Sequence, residues 1–516
     1  MKILLVAPYT EHVFDTPTEV TDEKNTVEEV REDLYPSAAL LHLAAMLRAN
    51  NYEPVIVDLN NHEVNKQKDK YFEYSEKIII DSLNKHKPDL VGINCLFSGN
   101  FPDVLKFART IKSHSPNSKI AIGGMHPTTF PKEIITNCDD IDYVAIGEGE
   151  NAIVALAASI KTKNENLLSS IKSFAYKDKD GVVRINREQN YIDDLNSLPI
   201  PAWDLIDHKK FEIDMDNFYN PTDNLIGKFR ATIFSSRACP CDCNFCDMFL
   251  VMGKKHRKKT IKTIVDEIEY LHKSHGVNYF SFMDDNLTLN RTHIMDLCNE
   301  IIRRKLAIIW DTPNGLWVNS LREEIVAKMA EAGLVRANLA IESGDEYIRN
   351  KVVKKSLERE KIFEVAGYLK KYKIMSYGGF IMGFPEDTNE TLKNTYDMIN
   401  ELQLDKTAVG VAIPLPGTAL FKQVVKDKLF VDPPNLDDLW KTPIGVNQSG
   451  FVIKPYNMSL DDLHKWRLKF DRLQIKYWKT NPNPATNGRN IKPDSQGRIP
   501  RQIYNKRWGK LTQSQL

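Results

Sequence analysis

Four of the seven cysteines fall inside one short stretch, Ser235-Ser236-Arg237-Ala238-Cys239-Pro240-Cys241-Asp242-Cys243-Asn244-Phe245-Cys246. Cys239, Cys243 and Cys246 stand at Cys-x3-Cys-x2-Cys spacing, just after an apolar run, Ala231-Thr232-Ile233-Phe234, that reads as a strand. Thiolates this close on one loop suit an iron–sulfur cube or a zinc ion. Zinc asks for a fourth ligand. Cys241 is at hand, but alternate residues crowd a tetrahedral site, and the usual paired Cys-x2-Cys and Cys/His zinc patterns are missing. A cube held by three cysteines leaves one iron open to a small molecule. The competing reading, a disulfide-stapled loop, belongs to secreted chains. Cys95, Cys138 and Cys298 sit singly in apolar or helical contexts and read as inert core residues.

The elements that would position this loop repeat. From Ala231 to about Phe430 a strand–helix rhythm recurs six times, with strands at Ala231–Ser236, Asn278–Met283, Ile308–Asp311, Arg336–Ile341, Gly378–Met382 and Val409–Ile413. Six units make a partial (β/α)6 barrel of the TIM type, whose chemistry gathers where strands end. After the cysteines, those ends carry Asp284-Asp285-Asn286, Trp310-Asp311-Thr312, Glu342-Ser343-Gly344, Gly383-Phe384-Pro385 and Pro414-Leu415-Pro416-Gly417-Thr418. Polar groups there are costly unless they hold something.

The first half alternates too. Near-continuous apolar strands at Lys2–Pro8, Pro54–Leu59, Leu90–Leu96, Lys119–Gly124 and Tyr143–Gly147 flank helical stretches such as Pro36–Asn50 and Phe101–Ser113. This pattern predicts an α/β, doubly wound Rossmann-like parallel sheet of flavodoxin-like order, which binds ligands at the carboxyl ends of its strands. Those ends carry Phe97-Ser98-Gly99, Gly123-Gly124-Met125-His126-Pro127 and Gly147-Glu148-Gly149-Glu150. No Gly-x-Gly-x-x-Gly follows the first strand, which argues against a nicotinamide cofactor.

These segments divide the chain into residues 1–164, a connector 165–230, the barrel 231–430, a helical region 431–478 and a tail 479–516. In the connector, a hairpin reads at Ile171–Tyr176 and Val182–Asn186, and Pro199-Ile200-Pro201-Ala202-Trp203 reads as an extended strap between domains. Trp440, Trp466 and Tyr477-Trp478 read as core aromatics or a cap on the barrel mouth. The tail, with eight basic residues against Asp494, reads as a flexible lid or an anchor for an anionic partner.

At 516 residues the chain is too long for one core. Its 70 basic and 69 acidic residues argue against a general nucleic-acid binder. The apolar start at Met1–Pro8 is too short for a signal peptide, and no run of about 18 apolar residues exists to span a membrane. The expectation is a cytoplasmic protein with reduced cysteines.

The thiol loop resembles the cluster loop of the radical S-adenosylmethionine (SAM) enzymes, which share the Cys-x3-Cys-x2-Cys spacing and an aromatic before the last cysteine, here Phe245. The resemblance implies that Cys239, Cys243 and Cys246 hold a 4Fe-4S cluster, that SAM chelates the open iron, and that one electron cleaves SAM to a 5′-deoxyadenosyl radical. It places Phe245 beside the adenine, Asp284 and Asp285 at the methionine amino group, Glu342 and Ser343 at the ribose, and Gly379 to Gly383 behind the adenine. Arg237 and Arg257 become partners for the SAM carboxylate. Cys241 departs from the pattern, since its position is commonly aromatic, and becomes a bystander.

Residues 1–164 resemble the cobalamin-binding domain that precedes many radical SAM barrels. This places cobalamin against Phe97, Ser98, Gly99, Gly123, Gly124, His126, Gly147, Glu148 and Gly149. The Asp-x-His-x-x-Gly motif that supplies an axial histidine is absent, which implies His-off cobalamin. Together the resemblances cover about residues 1–430 and imply an anaerobic C-methyltransferase. In that class the adenosyl radical takes hydrogen from an unactivated carbon and methylcobalamin donates the methyl group. They also imply a small-molecule, lipid, tetrapyrrole or peptide substrate and an electron donor such as flavodoxin or ferredoxin. Oxidative cyclisation, as in the anaerobic magnesium-protoporphyrin ester cyclases, or a ring rearrangement is the rival on the same scaffold. Methylthio transfer would need a second cysteine triad, and a cobalamin sensor would not need the thiol loop.

Overall fold

The computed structural model describes residues 1–10, 35–65, 67, 70–211, 230–441, 444 and 450–480. The apolar runs of the first half become β1 (Lys2–Ala7), β2 (Glu53–Asp58), β3 (Leu90–Asn94), β4 (Lys119–Gly123) and β5 (Tyr143–Ala145). They pair in parallel in the order β2-β1-β3-β4-β5. Ile3 and Leu5 of β1 pack with Leu40, Leu47 and Leu156 on one face, while Leu4 and Val6 pack with Ile79, Leu83 and Phe107 on the other. Burial on both faces is why such a strand reads as an unbroken apolar run. The hairpin placed in the connector instead joins this sheet: β6 (Phe174–Lys177) and β7 (Val183–Asn186) pair antiparallel beyond β5 and extend it to seven strands.

The strap stitches the halves together. The Ala202 amide donates to the Leu41 carbonyl at 3.1 Å, Arg48 forks onto Asp204, and Trp203 is buried in the barrel's outer core.

The second sheet starts with β8 (Arg230–Ile233). An antiparallel pair, β9 (Ser236–Arg237) and β10 (Arg257–Lys258), then brackets the thiol loop. The remaining strands are β11 (Tyr279–Phe282), β12 (Ile309–Leu316), β13 (Leu334–Glu342), β14 (Met375–Met382) and β15 (Lys406–Val411). The order β8-β11-β12-β13-β14-β15 is sequential and wholly parallel, which is the partial six-stranded barrel. Helices Ile261–His275, Arg291–Arg303, Arg359–Lys371 and Asn389–Leu402 cover its outer face, and Thr260, Asn290 and Thr388 cap three of them through side-chain oxygens. The strand β12 runs past its expected end at Asp311. Pro313-Asn314-Gly315 reads as a break, but a register shift and the positive φ of Gly315 absorb it as a bulge.

Beyond the barrel, Leu463, Trp466 and Phe470 of helix Leu460–Thr480 enter the outer core, and the Trp466 indole donates to Asn389 at 2.8 Å. Trp466 is therefore core, not a cap on the barrel mouth. The side chains of Tyr477 and Trp478, and residues 481–516, lie outside the described residues. Among the described residues no helix is long and apolar enough to cross a membrane.

Candidate active site

The thiol loop is fixed at its base by the end of β11. Asp284 is buried and accepts from the Ser235 amide (3.1 Å), Ser235 Oγ (2.6 Å) and Ser236 Oγ (2.5 Å). Asp285 accepts from the Ala238 amide at 2.9 Å, which holds Ala238 at φ +71°, and Asn286 Nδ2 reaches Cys239 Sγ at 3.7 Å. Burial raises both carboxyls, Asp285 to about 6. The triplet Asp284-Asp285-Asn286 is thus first of all a bracket for the loop. Asp284 has both oxygens engaged in it, while Asp285 binds the loop through Oδ2 alone.

Cys239, Cys241, Cys243 and Cys246 are free and half-exposed, and all four line one cavity of about 390 Å³ with Met248, Phe249, Lys254, Lys354 and Lys422. Cys241 holds the Cys239 thiol below the usual range by a hydrogen bond, and burial pushes Cys246 up to about 12. Among the described residues no three His, Cys, Asp or Glu side chains gather round a single metal ion. Sulfur donors lining one cavity together with Lys254, Lys354 and Lys422 suit an anionic iron–sulfur body, in which each thiolate takes its own iron.

The end of β13 closes another side. Glu342 stands at φ +69°, rare for a residue with a side chain, and its Oε1 pairs with Lys355 Nζ at 2.7 Å. Burial alone would lower Lys355, but the Glu342 carboxylate pushes it above the ordinary lysine range. Lys355 belongs to no motif in the sequence, and only the fold brings it to Glu342. Ser343 is buried with its Oγ 3.1 Å from Thr395 Oγ1, so it braces the strand end. Gly379 has open space at its Cα, where an added Cβ would meet only the Leu339 carbonyl at 3.8 Å. Gly383, at φ +87°, and Phe384 donate their amides to buried Asp387, which burial raises to about 7. The ring of Phe245 lies 6.4 Å from that of Phe384.

The N-terminal face gathers its expected residues at the ends of β3, β4 and β5. Phe97 leads into a short turn, Ser98–Asn100, that contains Gly99. Gly123 ends β4, and Gly124 sits at φ +119°, where a Cβ would lie 2.4 Å from the Cys95 carbonyl oxygen. Thr128 ties two loops, donating to the Gly124 carbonyl at 2.7 Å and accepting from the Gly147 amide at 2.9 Å. His126 is buried: Nδ1 lies 3.0 Å from Ser98 Oγ, Nε2 lies 2.9 Å from the Trp440 carbonyl oxygen, and burial lowers it to about 4.

Glu148 does not face this surface. Both its oxygens are taken by Arg257, at 2.7 and 2.9 Å, and Arg237 bonds Glu150 at 2.6 Å and approaches Glu148 at 3.4 Å. The two arginines expected at a SAM carboxylate are therefore held by the acids of the Gly147-Glu148-Gly149-Glu150 loop. All four side chains are buried, and Arg237 and Arg257 belong to the strand pair flanking the thiol loop. Around them Gly147, at φ +72°, would bring a Cβ to 3.2 Å from the Val251 carbonyl oxygen, and Gly149 begins helix Glu150–Thr162. This buried clamp joins the thiol loop to the first domain. Nothing local in the sequence couples residues about 100 apart.

Residues 25–157 match the B12 binding domain and residues 233–399 the radical SAM superfamily, together more than half of the chain. The chain belongs to the radical SAM enzymes that carry a B12-binding domain ahead of the barrel. It is 28% identical over 431 residues to an uncharacterized methyltransferase of Pyrococcus horikoshii, covering 84% of each chain. It is 27% identical over 399 residues to the anaerobic magnesium-protoporphyrin IX monomethyl ester cyclase of Rubrivivax gelatinosus, covering 76% of this chain and 66% of that one. Its fold matches the radical SAM methyltransferase TsrM from Kitasatospora setae, solved with cobalamin and a 4Fe-4S cluster, with a TM-score of 0.64 at 16% identity over 96% of this chain and 86% of that one.

Proposed function

We propose that the protein is a cobalamin-dependent radical SAM C-methyltransferase. The observation that carries this reading is the buried Glu148/Glu150–Arg237/Arg257 clamp, which fastens the thiol loop to the candidate cobalamin face. When bound, the cluster and SAM would supply a 5′-deoxyadenosyl radical that takes hydrogen from an unactivated substrate carbon, and cobalamin would carry the methyl group delivered there.

The chain's own residues divide the remaining work. Cys239, Cys243 and Cys246 hold the cluster, and Cys241 stands beside it. Asp285 offers its second oxygen to the SAM ammonium, while Asp284 keeps the loop in place. Glu342, oriented by Lys355, accepts from ribose hydroxyls, which suits a carboxylate because it takes two donors at once. Phe245, Gly379 and Gly383 flank the adenine, and Ser343 holds the Glu342 strand end. Phe97, Ser98, Gly99, Gly123, Gly124, Gly147 and Gly149 shape the cobalamin face. His126 is closed between Ser98 and Trp440, which supports His-off binding. The protein's contribution is to position the groups and exclude water.

The test is mass spectrometry of products formed from SAM bearing a deuterated methyl group. The reading expects a product heavier by that methyl, with 5′-deoxyadenosine formed alongside. A product that gains no labelled methyl favours the second reading, oxidative cyclisation, which the relationship to the ester cyclase supports. An electron donor such as flavodoxin or ferredoxin belongs to either reading.

A further inference from the structure

The segment that follows Glu342 is wound around one buried cation. Arg349 is 1% exposed and sits in a single π-helical turn, Ile348–Val352, an element rare in proteins. Its guanidinium lies on three carbonyl oxygens. Nη1 donates to Ser343 at 2.9 Å and to Gly344 at 3.1 Å, and Nε donates to Leu357 at 2.6 Å. Taking a guanidinium out of water is costly, and burial lowers Arg349 below the ordinary arginine range. A hydrogen bond from a charged donor is stronger than a neutral one, so the charge here fixes where three carbonyls point.

Those carbonyls belong to the two segments that bring Glu342 and Lys355 together. Glu342, at φ +69°, is followed at once by Ser343 and Gly344. Lys355 is flanked by Lys354 at φ +65° and Ser356 at φ +50°, two more residues with side chains in the left-handed region. The Lys355 amide donates to the Arg349 carbonyl at 3.0 Å, and the Leu357 amide donates to Asn350 Oδ1 at 2.7 Å. Asp345 starts the turn: its Oδ1 accepts from the Ile348 amide at 3.0 Å and its carbonyl from the Arg349 amide at 2.9 Å. Arg349 thus grips the Glu342 strand end with its side chain and the Lys355 segment with its backbone. Strained backbone of this kind persists only where its surroundings hold it.

We infer that Arg349 is a positioning residue for SAM: through the Ser343 and Gly344 carbonyls it holds the Glu342 carboxylate where the ribose hydroxyls reach it. The inference rests on the reading that Glu342 accepts from the ribose. Arg349 is buried, so it acts through Glu342 and not on SAM itself.

The test is SAM affinity, read by isothermal titration calorimetry on the full chain, reconstituted without oxygen and left unreduced so that SAM is not cleaved. Arg349→Met is expected to weaken SAM about tenfold or more. After reduction it should raise the KM for SAM while turnover to 5′-deoxyadenosine at saturating SAM stays within about threefold of wild type. In a Glu342→Gln background the same change should alter SAM affinity less than about twofold, because the carboxylate that Arg349 places is gone. Arg349→Lys keeps the charge and reaches fewer carbonyls. It is expected to weaken SAM less, about threefold, and it answers the same question in both backgrounds should Arg349→Met fail to fold. Wild-type affinity in the Arg349 variants, or an equal fold-loss with and without Glu342→Gln, overturns the inference. Unchanged affinity in Glu342→Gln removes the ribose assignment and the inference with it, whereas a clear Glu342→Gln loss with no Arg349 effect removes the inference alone.

Discussion

At the ends of the barrel strands four thiols stay half-exposed around a cavity, whereas at the ends of β3, β4 and β5 the side chains His126, Thr128 and Glu148 already have partners inside the protein. The thiol loop offers donors. The N-terminal face offers shape, made by Gly124 and Gly147 in conformations that side chains rarely adopt. The contrast suits the two ligands proposed: a cluster must be bonded by side chains, while a large flat cofactor can be held by backbone and contact. The buried clamp ties the two plans together, since its acids come from one region and its arginines from the other.

Mutations can break this contrast in graded steps. The largest effect is expected from Cys239→Ala, Cys243→Ala or Cys246→Ala, each of which should abolish SAM cleavage and most bound iron, measured as iron and sulfide per chain after anaerobic reconstitution. Next comes Glu148→Gln. It leaves Arg257 buried without its carboxylate, and breaking such a pair costs roughly 3–5 kcal/mol, read by guanidinium denaturation. A loss below about 1 kcal/mol would mean the clamp is not a structural link.

His126 gives a smaller, pH-dependent effect. Burial lowers it from its ordinary 6.5 to about 4, so the unfolded chain binds the extra proton first. Its contribution to stability is complete above pH 6.5 and falls as pH drops toward about 4, by up to roughly 3 kcal/mol at 1.36 kcal/mol per unit. His126→Gln should flatten that part of the stability–pH curve. The smallest effect is expected from Cys241→Ala, which should retain the wild-type iron content. A loss matching that of Cys239→Ala would make Cys241 a ligand.

Much of this was legible in the sequence because it is periodic. The apolar runs of β1, β3 and β4 and the six barrel repeats carry their own signal, and the cysteine spacing is local to one loop. What escaped depends on contacts between distant segments. Lys355 looks like surface until Glu342 is beside it, and Arg237 and Arg257 look like SAM partners until Glu148 and Glu150 claim them. The bulge in β12 was missed because Pro313-Asn314-Gly315 is also a turn signature.

The central claim is that one chain bears both an open iron–sulfur cluster and cobalamin. The most direct measurement is metal, sulfide and corrinoid analysis of the full chain, reconstituted without oxygen in the presence of hydroxocobalamin and then desalted. The account predicts about four iron and four sulfide with about one cobalamin per chain. Zinc in place of iron, or a complete cluster with no retained cobalamin, would contradict it.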